Sequence, residues 1–509
     1  MGWAISRRCG TIRLVNADKC VIDFSDTGRA GAANATYADL FRDGRAILSV
    51  LVILGAALHA LQILVIAIIM PTIVGDIGGA SYFAWPAMIY SVGAILGAAS
   101  VGPVWDKFGR RRGYAFSGLA FLTATVASAV APDMGTLIAA RALQGVAGGL
   151  ILGGAMALIG VLFDTALRRR ILAIYQGTWM IVQLLGPLLG GAFAEIGWWR
   201  GSFWVMVPFV LAFTIVSWLK IPDQSPSELE DKTSGGFPML RLGLITTGVL
   251  AVGFAGPTDD ATLRAAFLAA AIVLIGLCFR IDRQAENPLF PRRAISLMAP
   301  VGLALWILFL VGVAQSAVTL FLPLLLQVVH GVTPLFISFV TIVISAGWTV
   351  GTFAVSSWSG FKERLALWAG PPFMLAGVAI ITVTAQSPFL GVLTAGGFLL
   401  GLGIGTHNVH MVARTMAGAE IGEERITASA TTSMRTLGNA FGAALAGMLA
   451  TIGGLGDVTQ AAAVGNAVVF VYGVTLIPLA FAVVFMVWLV RLWTRTEPVA
   501  SPASPGAPS

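Results

Sequence analysis

The chain has 509 residues, 57% of them hydrophobic and only 11% charged, with a mean hydropathy of +0.88. Soluble globular proteins carry about 25% charged residues, so this composition excludes one and places the chain in a bilayer. The net charge of +7 does not indicate nucleic acid, since the basic residues punctuate apolar runs instead of covering a solvated face. Cys9, Cys20 and Cys278 are too few and scattered for a disulfide framework or a CxxC metal site.

The first 45 residues hold seven Lys and Arg and no apolar core before a cleavage site, so a secretory signal is not expected. Met1-Gly2-Trp3-Ala4-Ile5-Ser6 fits a myristoylation pattern and Asn34-Ala35-Thr36 a sequon; both read as chance matches. Fourteen apolar runs follow, each read as a helix. They are Ala46 to Met70, Phe83 to Trp105, Tyr114 to Ala131, Leu137 to Phe163, Ile171 to Ile196 and Phe203 to Leu219, then Leu240 to Ala255 and Leu263 to Phe279. The last six are Leu297 to Val329, Pro334 to Ser356, Leu365 to Ala385, Pro388 to Met411, Ile426 to Ile452 and Ala461 to Leu492. Two longer polar breaks, Ile221 to Phe237 and Arg280 to Arg293, divide them into six, two and six. That division fits a duplicated transporter with an insert between its halves. Expected units are a segment 1–45, a bundle 46–219, a linker and helix pair 220–296, a bundle 297–492 and a disordered tail 493–509. Of 31 Lys and Arg, all but Arg141, Arg200, Arg264 and Arg435 fall on one side of these runs if they alternate. Both termini are therefore expected in the cytoplasm, and the protein in the cell (inner) membrane.

Between the second and third runs lies Gly102-Pro103-Val104-Trp105-Asp106-Lys107-Phe108-Gly109-Arg110-Arg111-Arg112. Its glycines permit a tight turn, and Asp106 can pair with the arginines or with a facing helix N-terminus, which reads as a breakable latch. A basic topology-setting loop would explain the arginines but not the Gly-x-x-x-Asp-x-x-Gly spacing. This stretch resembles the signature loop of the major facilitator superfamily. Arg141-Ala142-Leu143-Gln144-Gly145 with Gly148 and Gly149 is similar to the fourth-helix motif of its fourteen-span drug/proton antiporter branch, and Gly186-Pro187-Leu188-Leu189-Gly190-Gly191 to the fifth-helix antiporter motif. Trp198, Trp199, Arg200, Phe203 and Pro208 resemble the segment after it. Leu322-Pro323-Leu324 with Gln327 and Gly331, and Arg435-Thr436-Leu437-Gly438-Asn439-Ala440 with Gly442, resemble the second half.

The resemblance implies an all-α polytopic membrane protein of the major facilitator fold, with two six-helix bundles plus an inserted pair. It implies export of small amphipathic or hydrophobic, drug-like compounds by alternating access, in antiport with protons, with no cofactor, metal or nucleic-acid partner. Arg141 and Arg435 stand within runs, where a charge costs roughly 2.5 to 3.5 kcal/mol at mid-bilayer. Arg435 is deep enough to face a polar cavity, whereas Arg141 is near enough to its helix end to snorkel. The family places an arginine implicated in proton coupling at the position of Arg141. Its first-helix acid, nine residues before a proline, is here Gln62, counted back from Pro71. Glutamine cannot carry a proton, and none of the 24 acids lies in mid-helix. His59, one turn away on roughly the same face, can exchange one; the alternative is a neutral imidazole bonded to a facing carbonyl. His407 and His410 read as interfacial or lining, His330 as a loop residue. Expected substrate-lining residues are Gln62, Trp179, Gln183, Gln315, Trp348 and Asn408, with His59. The missing acid disfavours cationic substrates, which leaves a lipid or siderophore exporter without conventional proton coupling as a rival. A polytopic membrane enzyme would need clustered catalytic groups, and Glu420, Glu423 and Glu424 beside Arg425 read as a solvated face.

Overall fold

A computed structural model of the protein describes residues 36–42, 45–222, 238–456 and 458–496. The myristoylation match, Asn34 and Ala35 of the sequon, Cys9, Cys20, the linker from Asp223 to Phe237 and the tail from Glu497 lie outside the described residues. In hydrocarbon a backbone can satisfy its N–H and C=O groups only internally, so apolar runs of this length must coil. Each of the fourteen expected runs does.

The first half comprises α1 (Arg45–Ile77), α2 (Trp85–Ala99), a short α3 (Val101–Phe108), α4 (Arg110–Ala129), α5 (Met134–Leu162), α6 (Thr165–Glu195), a single turn α7 (Gly201–Trp204) and α8 (Val207–Lys220). A pair follows, α9 (Met239–Ala255) and α10 (Ala261–Gln284). The second half comprises α11 (Pro300–Leu324) with a π-turn at Leu325–Val329, α12 (Pro334–Val355), α13 (Phe361–Thr384), α14 (Leu390–Ala417), α15 (Glu424–Ile452) and α16 (Ala461–Thr496). Eleven of the rods are long and apolar enough to cross a bilayer. The three others are α9, with 17 residues, and α4 and α15, which contain arginines. The second run ends earlier than Trp105. Pro103 has no N–H to give the carbonyl of Ala99, and Ser100 turns back through its backbone N–H to Leu96 O and Gly97 O.

Close packing follows from paired glycines four residues apart. A methyl group at Gly93 would stand 2.8 Å from the carbonyl oxygen of Ala142, and one at Gly97 would overlap that of Val146; on the facing helix, Gly145 and Gly149 press on the backbone of Tyr90 and Ala94. The contact of α12 with α14 repeats this, with Gly347 and Gly351 facing Phe398 and Leu402, and Gly401 and Gly405 facing Ile344 and Trp348. The antiporter-like glycines repeat too. Gly186 and Gly190 of α6 lie against Leu64 and Val65 of α1, as Gly438 and Gly442 of α15 lie against Phe309 and Val313 of α11.

The core is divided unevenly. Call the end of the molecule where α1 begins the near end and the opposite one the far end. First-half residues toward the near end, among them Leu51, Leu58, Trp105, Tyr114, Ile151 and Ile171, form an apolar cluster of their own. First-half residues toward the far end, including Val65, Ile69, Phe83, Trp85 and Leu137, belong to the cluster that contains the whole second-half core. The two halves are thus fused at the far end. Ser338 of α12 donates to the carbonyl of Pro187 at 2.6 Å, Glu195 accepts from the backbone of Leu335 at 3.0 Å, and Phe83 packs on Phe321 with ring centres 5.3 Å apart.

At the same end α9 covers the seam between α2 and α15, with Phe254 edge-on to Trp85 at 4.7 Å and Gly256 beside Met448. At the near end the pair is pinned by the buried ion pair Arg241–Asp282 at 2.5 Å; Asp282 also accepts from the backbone of Leu289 and Phe290. Asp133 caps α5 by accepting from Thr136 N at 2.8 Å, and these bonds hold its carboxyl below the usual range.

Candidate functional site

Each half carries one arginine well inside a long helix, Arg141 in α5 and Arg435 in α15, and their surroundings differ. Arg141 is seven residues into α5, about 10 Å from its start, and fully buried. Its Nε donates to the carbonyl of Pro86 at 3.2 Å, Nη1 to Gln62 Oε1 at 3.0 Å and to Gln144 Oε1 at 2.6 Å, and Nη2 to the carbonyl of Gln62 at 3.2 Å. The Tyr90 ring lies 4.2 Å from the guanidinium carbon. Snorkelling, the simpler expectation for this residue, does not occur: four acceptors and a π-face hold the charge inside, where each bond is charge-assisted. The network continues from Gln144 Nε2 to Thr125 at 2.9 Å, and from Gln62 Nε2 to the sulfur of Met206 at 2.8 Å.

His59 joins the same cluster. Its Nδ1 lies 2.9 Å from Tyr90 Oη, which also reaches the His59 carbonyl at 3.3 Å, so a hydroxyl donating to the carbonyl can accept from Nδ1–H. Trp179 of α6 stands edge-on to the imidazole at 6.3 Å. Gln183, one turn further along α6, is half-buried with no hydrogen bond to another described residue. The structure therefore brings together the expected residues His59, Gln62, Arg141 and Trp179, and adds Tyr90, Gln144 and Thr125.

In the second half Arg435 is half-buried, eleven residues into α15. It donates from Nη1 to Asn408 Oδ1 at 3.2 Å and from Nη2 to Gln315 Oε1 at 3.0 Å, and lies over Trp348 at 4.7 Å. Four expected residues from α11, α12, α14 and α15 thus converge on one point. Both halves use one design: an arginine, the amide of a glutamine on the half's first helix (Gln62 in α1, Gln315 in α11) and an aromatic ring on its second (Tyr90 in α2, Trp348 in α12). His407 is buried with Nδ1 on the Gly403 carbonyl at 2.7 Å, and His410 reaches Val355 O at 2.8 Å and Glu363 at 3.9 Å. Glu363 is bound by Arg414 at 2.5 Å. His330 contacts the Ala385 carbonyl at 2.8 Å. Among the described residues, no group of three His, Cys, Asp or Glu could hold a metal.

The expected pairing of Asp106 with the arginines of its loop is not found. Asp106 is exposed and makes no ion pair or hydrogen bond with a described residue. Gly109, at φ 78°, turns the chain directly from α3 into α4; Gly102 is open to the outside. Arg110 folds over Trp105 at 5.9 Å and Arg111 over Trp218 at 5.5 Å, so both are engaged elsewhere. At the far end Asp76 accepts from the neighbouring Trp199 at 3.0 Å and Arg200 at 2.5 Å.

The family model of the major facilitator superfamily matches residues 52–443. The chain belongs to this superfamily. Over 419 residues this major facilitator is 30% identical to a probable multidrug-efflux transporter of Mycobacterium tuberculosis, covering 80% of this chain and 88% of that one. It is 25% identical over 412 residues to multidrug resistance protein 3 of Bacillus subtilis, covering 78% of each. Its fold is similar to that of a bacterial homologue of the human lysosomal transporter Spinster, solved inward-facing and unoccupied, with a TM-score of 0.62, 12% identity, and coverage of 90% and 100%. It is also similar to the inward-open xylose transporter of E. coli, with a TM-score of 0.58 at 16% identity and coverage of 87% and 95%. Family and fold are those of a multi-pass membrane transporter, not of an enzyme.

Proposed function

We propose that the protein exports small amphipathic or hydrophobic, drug-like compounds from the cytoplasm by alternating access between two six-helix bundles. The observation that carries this is the divided core: one apolar cluster runs through both halves at the far end, while the first half keeps a separate cluster at the near end. If the near end is cytoplasmic, as the Lys and Arg bias favours, this is an inward-facing state. Residues 1–45 and the tail then lie in the cytoplasm, and α9 and α10 form an insert between bundles 46–219 and 297–492. Asp106, without a partner among the described residues, fits the same state, as half of a latch, with Gly102, Gly109, Arg110 and Arg111, that engages when the near end closes. The relatives named for multidrug efflux support the substrate class.

His59 is the residue through which a proton would be exchanged, since imidazole is the one side chain of that cluster, among the described residues, whose ordinary pKa lies near neutral, and its link to Tyr90 and Arg141 would pass the change of charge to α2 and α5. Uptake of hydrophobic dyes into inside-out vesicles tests both parts. Uptake should rise several-fold with an imposed proton gradient and lose that rise in His59→Ala. Uptake of no dye would sink export; a gradient that changes nothing would sink coupling. Gln62, in place of the family's acid, favours a second reading, export of a lipid or siderophore without proton coupling, which predicts that last outcome.

A further inference from the structure

Arg141 and Arg435 differ in what they leave unused. A guanidinium has five N–H donors. Arg141 makes four hydrogen bonds and is fully buried. Arg435 makes two, both to neutral amides, is only half-buried, and leaves its other donors without a partner among the described residues. Among the described residues no carboxylate pairs with either charge. The acid at the start of α15, Glu424, is eleven residues away, and Glu363 is taken by Arg414 and His410. Beside the open donors stands the half-buried Trp348, an apolar surface next to a positive charge.

We propose that Arg435 is the docking point for the anionic group of an amphipathic substrate, so that the transporter selects molecules with one carboxylate or sulfonate over neutral and cationic ones of similar shape. The planar fork of an arginine matches such groups through paired bonds. A substrate anion would cancel the charge that the protein leaves bare; Gln315 and Asn408 hold the guanidinium in place without neutralising it. A cation at the same point would meet like charge and no acid. The inference rests on the export reading above and names the substrate class for it.

The test uses three fluorescent probes on the full-length protein in liposomes: 1-anilinonaphthalene-8-sulfonate, its near-isostere without the sulfonate, N-phenyl-1-naphthylamine, and the cation ethidium. Wild type should bind and transport the sulfonate at least about tenfold better than the other two, the effect of a charge-assisted bond. Arg435→Lys should retain the preference and Arg435→Gln should abolish it. Gln315→Glu, which supplies an internal counter-charge and keeps the arginine in place, should abolish it as well. The proposal is overturned if wild type handles the neutral probe or ethidium as well as the sulfonate, or if both Arg435→Gln and Gln315→Glu keep the preference. Transport of the neutral probe and ethidium without the sulfonate would refute this inference and leave export standing, whereas transport of none of the three would remove export itself.

Discussion

Arg141 shows how a charge is tolerated in a bilayer by saturation instead of exposure. Gln62 and Gln144 each give it a side-chain oxygen, so removing the arginine strands two buried acceptors, at about 1 to 3 kcal/mol each. Arg141→Met should therefore lower the melting temperature of detergent-purified protein, and adding Gln62→Leu and Gln144→Leu should recover much of the loss without restoring transport. If the single variant melts like wild type, the network does not stabilise the fold. Sequence could point to His59, Gln62 and Arg141, because a polar residue in an apolar run needs a partner. It could not point to Tyr90, whose ring lies under a guanidinium 51 positions further along the chain (141 − 90).

At the scale of helices, the glycines sort by what stands opposite them. Gly97 of α2 leaves no room for a methyl group, since the Val146 carbonyl occupies the space, whereas Gly276 in α10 has nothing within 4 Å. Gly97→Ala should cost about 1 to 3 kcal/mol as overpacking. Gly276→Ala should leave stability unchanged or slightly raised, since alanine is the better helix former. Thermal melts of the two variants check this, and equal shifts would contradict the packing described. Sixty glycines looked largely uninformative in the sequence, because glycine is common in spanning helices. Two of the pairs, Gly186 with Gly190 and Gly438 with Gly442, could be noticed as separate motifs. That they are one contact used twice required both halves in place.

Across the whole molecule the near end and the far end are held differently, and the proposed alternating access requires the far end to part. A methyl group at Gly447 of α15 would lie 2.8 Å from Cβ of Ala84, the residue just before α2; a disulfide needs roughly 3.5 to 4.5 Å between Cβ atoms, so the two backbones must ease apart by about 1 Å to admit one. Oxidising the pair Ala84→Cys and Gly447→Cys should stop transport, and reductant should restore it. Transport that continues with the cross-link fully formed would show that this seam does not open.

The sequence by itself determined that the chain lives in a bilayer, how its apolar runs are divided and which superfamily it joins, because hydropathy, helix length and turn chemistry are local properties. It also showed that no acid stands in mid-helix. Only the tertiary structure decided which polar residues meet. Arg141 is saturated and Arg435 left open, Asp106 has no partner among the described residues, and the halves are sealed at one end. Each of these depends on helices far apart in the chain, and their distances are set by how closely the glycine faces let the backbones approach.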